Sequence, residues 1–173
     1  MAIGPGWAQP LPANNTSNTG SLVELPDIIA GIIHYTRWPG HPDPVRLCLN
    51  EKDTDTAAIS LHFEQGYKDL PRVLPLSRRL LVDAGDKLLD CNVVYFGKVN
   101  AKEVSALLIQ LGRHPILTIG HGDDFCSYSG LFCLVPQPLG LRIGANLDSI
   151  SRNGLRVNPL LLKLTARDRK GTP

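Results

Sequence analysis

The chain has no CxxC pair: its four cysteines, Cys48, Cys91, Cys126 and Cys133, stand well apart in 173 residues. That spacing excludes a zinc knuckle and a thiol-exchange motif. Neither charge predominates, with 18 Lys and Arg against 16 Asp and Glu, and the basic residues are scattered apart from Arg167, Arg169 and Lys170. No dedicated nucleic-acid surface is expected from such a pattern. No apolar run approaches the ~18 residues of a membrane-spanning helix. A GxSxG nucleophile elbow and a glycine-rich phosphate loop are likewise missing, which removes the commonest hydrolase and nucleotide signatures.

What is present begins with an even cysteine count. Without metal spacing, four cysteines favour disulfides, and disulfides persist in oxidising compartments, so the expected location is outside the cytoplasm. A chain of this length forms one domain that buries a core without help, so the bridges reinforce it. Residues Met1 to Gly20 are rich in Pro, Gly, Asn, Thr and Ser and show no apolar periodicity. They are expected to be disordered or extended. Gly4-Pro5-Gly6-Trp7-Ala8-Gln9 fits the end of a secretory signal cleaved after Ala8, but the charged start and apolar stretch of such a signal are missing. A plain polar linker fits equally well.

Leu25, Ile28, Ile29, Ile32 and Ile33 recur at helical spacing, closing on Tyr35 and Trp38 before Pro39-Gly40. Val45 to Leu49 reads as a strand, Asp53 to Gln65 as a helix, and Val73 to Leu76 and Cys91 to Phe96 as further strands. Lys102 to Leu111 is helical, Pro115 to Ile119 extended, and Gly120 to Gly130 has the composition of a loop. Leu131 to Val135 and Leu139 to Ala145 form an antiparallel pair about Pro136-Gln137-Pro138. Asn146 or Asp148 caps a short helix that stops at Gly154. Leu160, Leu161 and Leu164 mark a last helical turn or two before a polar tail at residues 166–173. The expected fold is therefore α/β: a single-domain sandwich whose mixed sheet is flanked by helices and stapled by disulfides.

His121-Gly122-Asp123-Asp124 follows a predicted strand, where α/β folds often place ligands. A histidine and two carboxylates can hold a cation or exchange protons, yet no third ligand follows at useful spacing, and glycine with aspartate is ordinary turn chemistry. We expect a structural loop, with no catalytic residues, metal or cofactor. His34, His41, His62 and His114 are isolated and read as structural or solvated. Four cysteines permit three connectivities. Cys126 with Cys133 closes the loop onto the next strand, and Cys48 and Cys91 lie on strands that can be neighbours, so 48–91 with 126–133 is the expected set.

Tyr35-Thr36-Arg37-Trp38-Pro39, Val45-Arg46-Leu47-Cys48-Leu49, Cys91-Asn92-Val93-Val94-Tyr95, Pro115 to Ile119 with Phe125-Cys126, Gly130-Leu131-Phe132-Cys133-Leu134, and Asn146-Leu147-Asp148 through Gly154 to Leu161 occur in one order. Together they resemble the YfiR family from about Ser21 to Leu164, giving a regulatory domain at 21–165. The resemblance implies a periplasmic regulator, not an enzyme, that represses an inner-membrane diguanylate cyclase by binding its periplasmic sensor domain. It also implies an outer-membrane lipoprotein that sequesters the regulator, homodimers, control of cyclic-di-GMP and biofilm, and redox sensitivity through the cysteine pairs. Arg37 and Arg156 match motif positions and are the candidates for ligand or partner binding. Where relatives often carry Phe-Glu-Ile, this chain has Ile143-Gly144-Ala145, so an acidic side chain is missing at Gly144. A periplasmic small-ligand sensor or solute-binding module is the alternative reading.

Overall fold

The structure is a computed structural model that describes residues 19–80 and 85–167. Its main sheet holds β2 (Val45–Asn50), β3 (Val73–Arg78), β4 (Val93–Gly97), β5 (Leu117–His121), β6 (Phe132–Gln137) and β7 (Gly140–Ala145). The spatial order is β3-β2-β4-β5-β6-β7, parallel from β3 to β6, with β7 antiparallel to β6. A separate two-residue ribbon joins β1 (Thr36–Arg37) to β8 (Arg156–Val157). The expected mixed sheet flanked by helices and the two disulfides are both present.

Alternation along the strands builds two cores. Leu47, Leu49, Val93, Tyr95, Leu117 and Ile119 point to one face, covered by α1 (Thr19–His34), α2 (Thr56–Gln65) and α7 (Pro159–Arg167). Cys48, Val94 and Phe96 point to the other, beneath α3 (Gly85–Leu88) and α4 (Ser105–Leu111), with Phe125 and Cys126 supplied by α5 (Asp123–Ser127). The first layer has helices of 16, 10 and 9 residues; the second has 4, 7 and 5. Helices that short are not self-supporting, since nucleation is costly and each buries little area. Both disulfides lie on this thinner side, in contact with its core. The staples therefore reinforce the layer that packing alone secures least.

The edge strand β3 is read out by its hydrogen bonds. Arg72 and Arg78 carbonyls accept from Val45 and Glu51, so the even-numbered residues of this parallel strand face β2 and Pro75 faces outward. Proline there removes no ladder bond and leaves the open edge without one N–H, which discourages pairing with another chain.

Several local expectations are corrected. The segment from Gly120 to Gly130 is not a loop: His121 ends β5 and Asp123–Ser127 is helical. The reason is Phe125, fully buried, whose ring lies between Gly120 and Gly130; a side chain at either glycine would overlap it. Helix α1 stops at His34, and Thr36–Arg37 leaves it to pair with β8. Helix α2 starts at Thr56, later than expected, because Asp53 accepts from the Asp55 and Lys98 amides. Cys91 precedes β4, in a turn where its amide donates to Leu88. Strand β6 runs on through Pro136 to Gln137. Asn146 does cap α6 (Leu147–Arg152), accepting from the Ser149 amide at 2.9 Å. Of the N-terminal segment 1–20 and the tail 166–173, residues up to 18 and from 168 lie outside the described residues, whereas Thr19 and Gly20 already belong to α1 and Ala166 and Arg167 to α7.

Candidate functional site

The two candidate arginines meet. In the β1–β8 ribbon Arg37 is the direct cross-strand partner of Arg156, both exposed, while Thr36 opposite Val157 is buried. Each element is held from behind. The Thr36 hydroxyl donates to Ile32 O at 2.7 Å, and the Asn158 amide donates to Tyr35 O at 2.8 Å. Arg37 bends over its own chain, one guanidinium nitrogen donating to His34 O at 2.6 Å and Thr36 O at 3.0 Å. Next in sequence, the Trp38 indole N–H donates to Asn92 O at 3.1 Å, and Asn92 Oδ1 accepts from the Arg46 amide. Asn92 follows Cys91, so the Cys48–Cys91 bridge, with Cα atoms 5.9 Å apart, braces the strand end on which the arginine ribbon is hung.

Like charges directly opposite one another destabilise a strand pair. Among the described residues neither Arg37 nor Arg156 has a carboxylate ion-pair partner. A cavity of about 280 Å³ lies at the pair, lined by Tyr35, Arg37, Arg156, Val157, Asn158 and Pro159. A second, of about 630 Å³, takes in Arg37 with His34, Trp38, His41, Asp43 and Arg72. Arg37 thus borders both. The arrangement suits an anionic group that bridges two guanidinium ions, a geometry Arg presents better than Lys.

The usual ligand position of a parallel sheet is closed here. The chain runs from β2 outward to β3, then crosses back to β4, which makes the carboxyl ends of β2 and β4 the switch point where such sheets bind ligands. Asp53 fills it: its carboxylate packs against Gly97 and accepts from Lys98 N at 2.9 Å and Asp55 N at 3.0 Å. The buried Asn50 side chain donates to Phe96 O alongside.

His121-Gly122-Asp123-Asp124 is dispersed among neighbours. His121 Nε2 lies 2.9 Å from Tyr95 Oη, and Asp123 accepts from Arg142 at 2.8 Å. Among the described residues no group of three His, Cys, Asp or Glu side chains is placed to hold a metal. Burial pushes the Tyr95 phenol far above its ordinary value, with Asp53 and Asp55 adding to the effect. His34 Nδ1 reaches Asp69 O at 3.2 Å, a structural tie between α1 and the segment after α2.

Both expected bridges form. Cys126–Cys133 joins α5 to β6 with Cα atoms 5.5 Å apart. What sequence reasoning missed is the ribbon itself, whose strands are too short for any periodicity, and the reason for Gly144. That glycine is the register partner of Cys133, and a Cβ on it would lie 2.6 Å from Cys133 Sγ.

The molecule so described is a disulfide-stapled α/β domain whose sheet crevice is filled by its own carboxylate and whose exposed ribbon carries paired arginines. The chain belongs to the YfiR/HmsC-like family, whose sequence model matches residues 27–166. All four cysteines, Arg37 and Arg156 fall within that match.

Proposed function

We propose that this protein is a periplasmic inhibitory regulator that binds the periplasmic sensor domain of an inner-membrane diguanylate cyclase and so lowers cyclic-di-GMP and biofilm formation. Its regulatory domain is residues 21–165, it acts as a homodimer without catalysing a reaction, and an outer-membrane lipoprotein relieves the inhibition by sequestering it. Family membership over residues 27–166 carries this reading. Two bridges support an oxidising compartment, and among the described residues no helix is long and apolar enough to cross a membrane. Filling of the sheet crevice by Asp53 favours a protein whose business is at its surface.

The arginine ribbon is the proposed contact. Paired guanidinium groups without carboxylate partners offer an acidic segment of a partner two bidentate anchors. The cavity of about 630 Å³ beside Arg37 favours a second reading, a small anionic ligand held by the same arginine. Deletion of the gene should raise cyclic-di-GMP, and the protein should co-purify with a membrane diguanylate cyclase of the same cell. An unchanged nucleotide level, with that cyclase expressed, rejects the inhibitory reading.

A further inference from the structure

We propose that His121 and Tyr95 form a proton-operated latch: acidification breaks it, frees the corner between β5 and α5, and exposes the Cys126–Cys133 bridge to an external phosphine or dithiol, whose two electrons convert the S–S bond to two thiols. This goes beyond the inhibitory reading and does not depend on it.

Tyr95 lies in the all-buried central strand β4, and His121 is the last residue of the adjacent β5. Their rings meet edge to face, centroids 6.0 Å apart, with the phenol oxygen on Nε2. The other ring nitrogen, Nδ1, is sealed from solvent and has no hydrogen-bond partner. Whichever neutral tautomer is present, Nε2 is satisfied by Tyr95. A neutral ring can leave a bare lone pair at Nδ1, whereas the cation carries N–H on both nitrogens and so always has, besides its buried charge, an Nδ1 donor with nothing to accept it. The histidine must then leave its site to be solvated.

The charges around it are mixed. Asp53 and Asp55, before α2, favour the cation; Lys98, after β4, opposes it. Asp123, two residues on, is engaged by Arg142 of β7. Burial outweighs the two carboxylates and holds the imidazole below its ordinary 6.5. The folded corner therefore prefers neutral His121, while an opened corner protonates at the ordinary value. Its stability is complete at higher pH and is lost as pH falls through 6.5 toward the folded value.

The effect is confined to this corner by the bonds of the next residues. Gly122 donates to Leu134 O and accepts from the Phe125 amide, so the residue after His121 ties β5 to β6 and starts α5. Helix α5 carries Cys126, the one cysteine that is partly exposed, and Phe125, whose carbonyl accepts from Gly130. Freeing Gly122 loosens all of these together.

The test is phosphine reduction of the folded protein between about pH 8 and pH 5, each rate normalised to an unstructured disulfide peptide. Opening of Cys126–Cys133 should accelerate by up to about tenfold per pH unit below the ordinary histidine value. His121→Gln keeps a hydrogen-bonding partner for Tyr95 and does not titrate, so its normalised rate should be flat. Equal acceleration in that variant overturns the proposal. So does a wild-type His121 ring that titrates by NMR at or above 6.5, or one that titrates lower while the amides of Phe125, Tyr128 and Gly130, each exchange rate divided by its intrinsic unfolded-chain rate at that pH, lose no protection in acid. The two wild-type measurements decide the matter even if the variant fails to fold.

Discussion

Cys133 and Gly144 face each other across β6 and β7, and the sulfur of the first occupies the space a side chain on the second would need. The glycine therefore belongs to the disulfide. Gly144→Ala should destabilise the oxidised protein by roughly 1–3 kcal/mol, the range for forced overpacking. In a Cys126→Ser, Cys133→Ser background the smaller hydroxyl relieves the clash, and the same substitution should cost clearly less. Denaturant unfolding of the four proteins gives the coupling directly. Equal costs in both backgrounds would show that the bridge is not what excludes a side chain.

The two bridges should differ in access and in weight. Cys48, Cys91 and Cys133 are 0%, 3% and 2% exposed, whereas Cys126 is partly open, so a mild reductant should reach 126–133 first. The loops they close differ too, with sequence separations of 43 and 7. On chain entropy the long bridge contributes about 4 kcal/mol and the short one about 2.5. Thiol alkylation against time, read by mass spectrometry, should show Cys126 and Cys133 labelled before the other pair. A Cys48→Ser, Cys91→Ser protein more stable than the Cys126→Ser, Cys133→Ser protein would reverse this assignment of roles.

Much of this architecture is legible in the chain. The alternation in Val45 to Leu49 and the apolar run at Val93 to Phe96 identify buried strands, and the Asn146 cap and the Gly154 stop frame α6 as expected. The disulfide pairing is legible because the cysteines stand near neighbouring strands. Tertiary contacts decide the rest. Helix α5 forms because Phe125 needs a slot between two glycines ten residues apart, a relation no local window contains. Arg37 and Arg156 are each visible as motif positions, but their pairing depends on a ribbon of two-residue strands that periodicity cannot detect. Asp53 has the local character of a helix start, whereas its carboxylate fills the sheet crevice.

The motif of His121, Asp123 and Asp124 should remain indifferent to metals. His121 is engaged by Tyr95, and Asp123 by Arg142, so a cation would have to displace both contacts. Thermal unfolding in millimolar zinc or magnesium should match that in chelator. Stoichiometric metal that is lost on His121→Ala would establish a site there and remove the structural reading of this segment.

Arg37 and Arg156 separate stability from function. Reversing one charge turns a repulsive cross-strand pair into an attractive one, so Arg156→Glu should leave the fold as stable as before or up to about 1 kcal/mol more so. The hydrogen bonds of Arg37 to His34 O and Thr36 O do not involve Arg156 and should persist. If the pair is the anchor for an acidic partner segment, the same substitution converts it into a neutral pair. Cells carrying Arg156→Glu should then show the raised cyclic-di-GMP of the deletion strain, while the purified protein unfolds no earlier than wild type. Loss of stability together with loss of inhibition would indicate mere misfolding, and Arg37→Ala would serve as the second probe. A stable Arg156→Glu protein that still represses the cyclase would move the contact away from the ribbon.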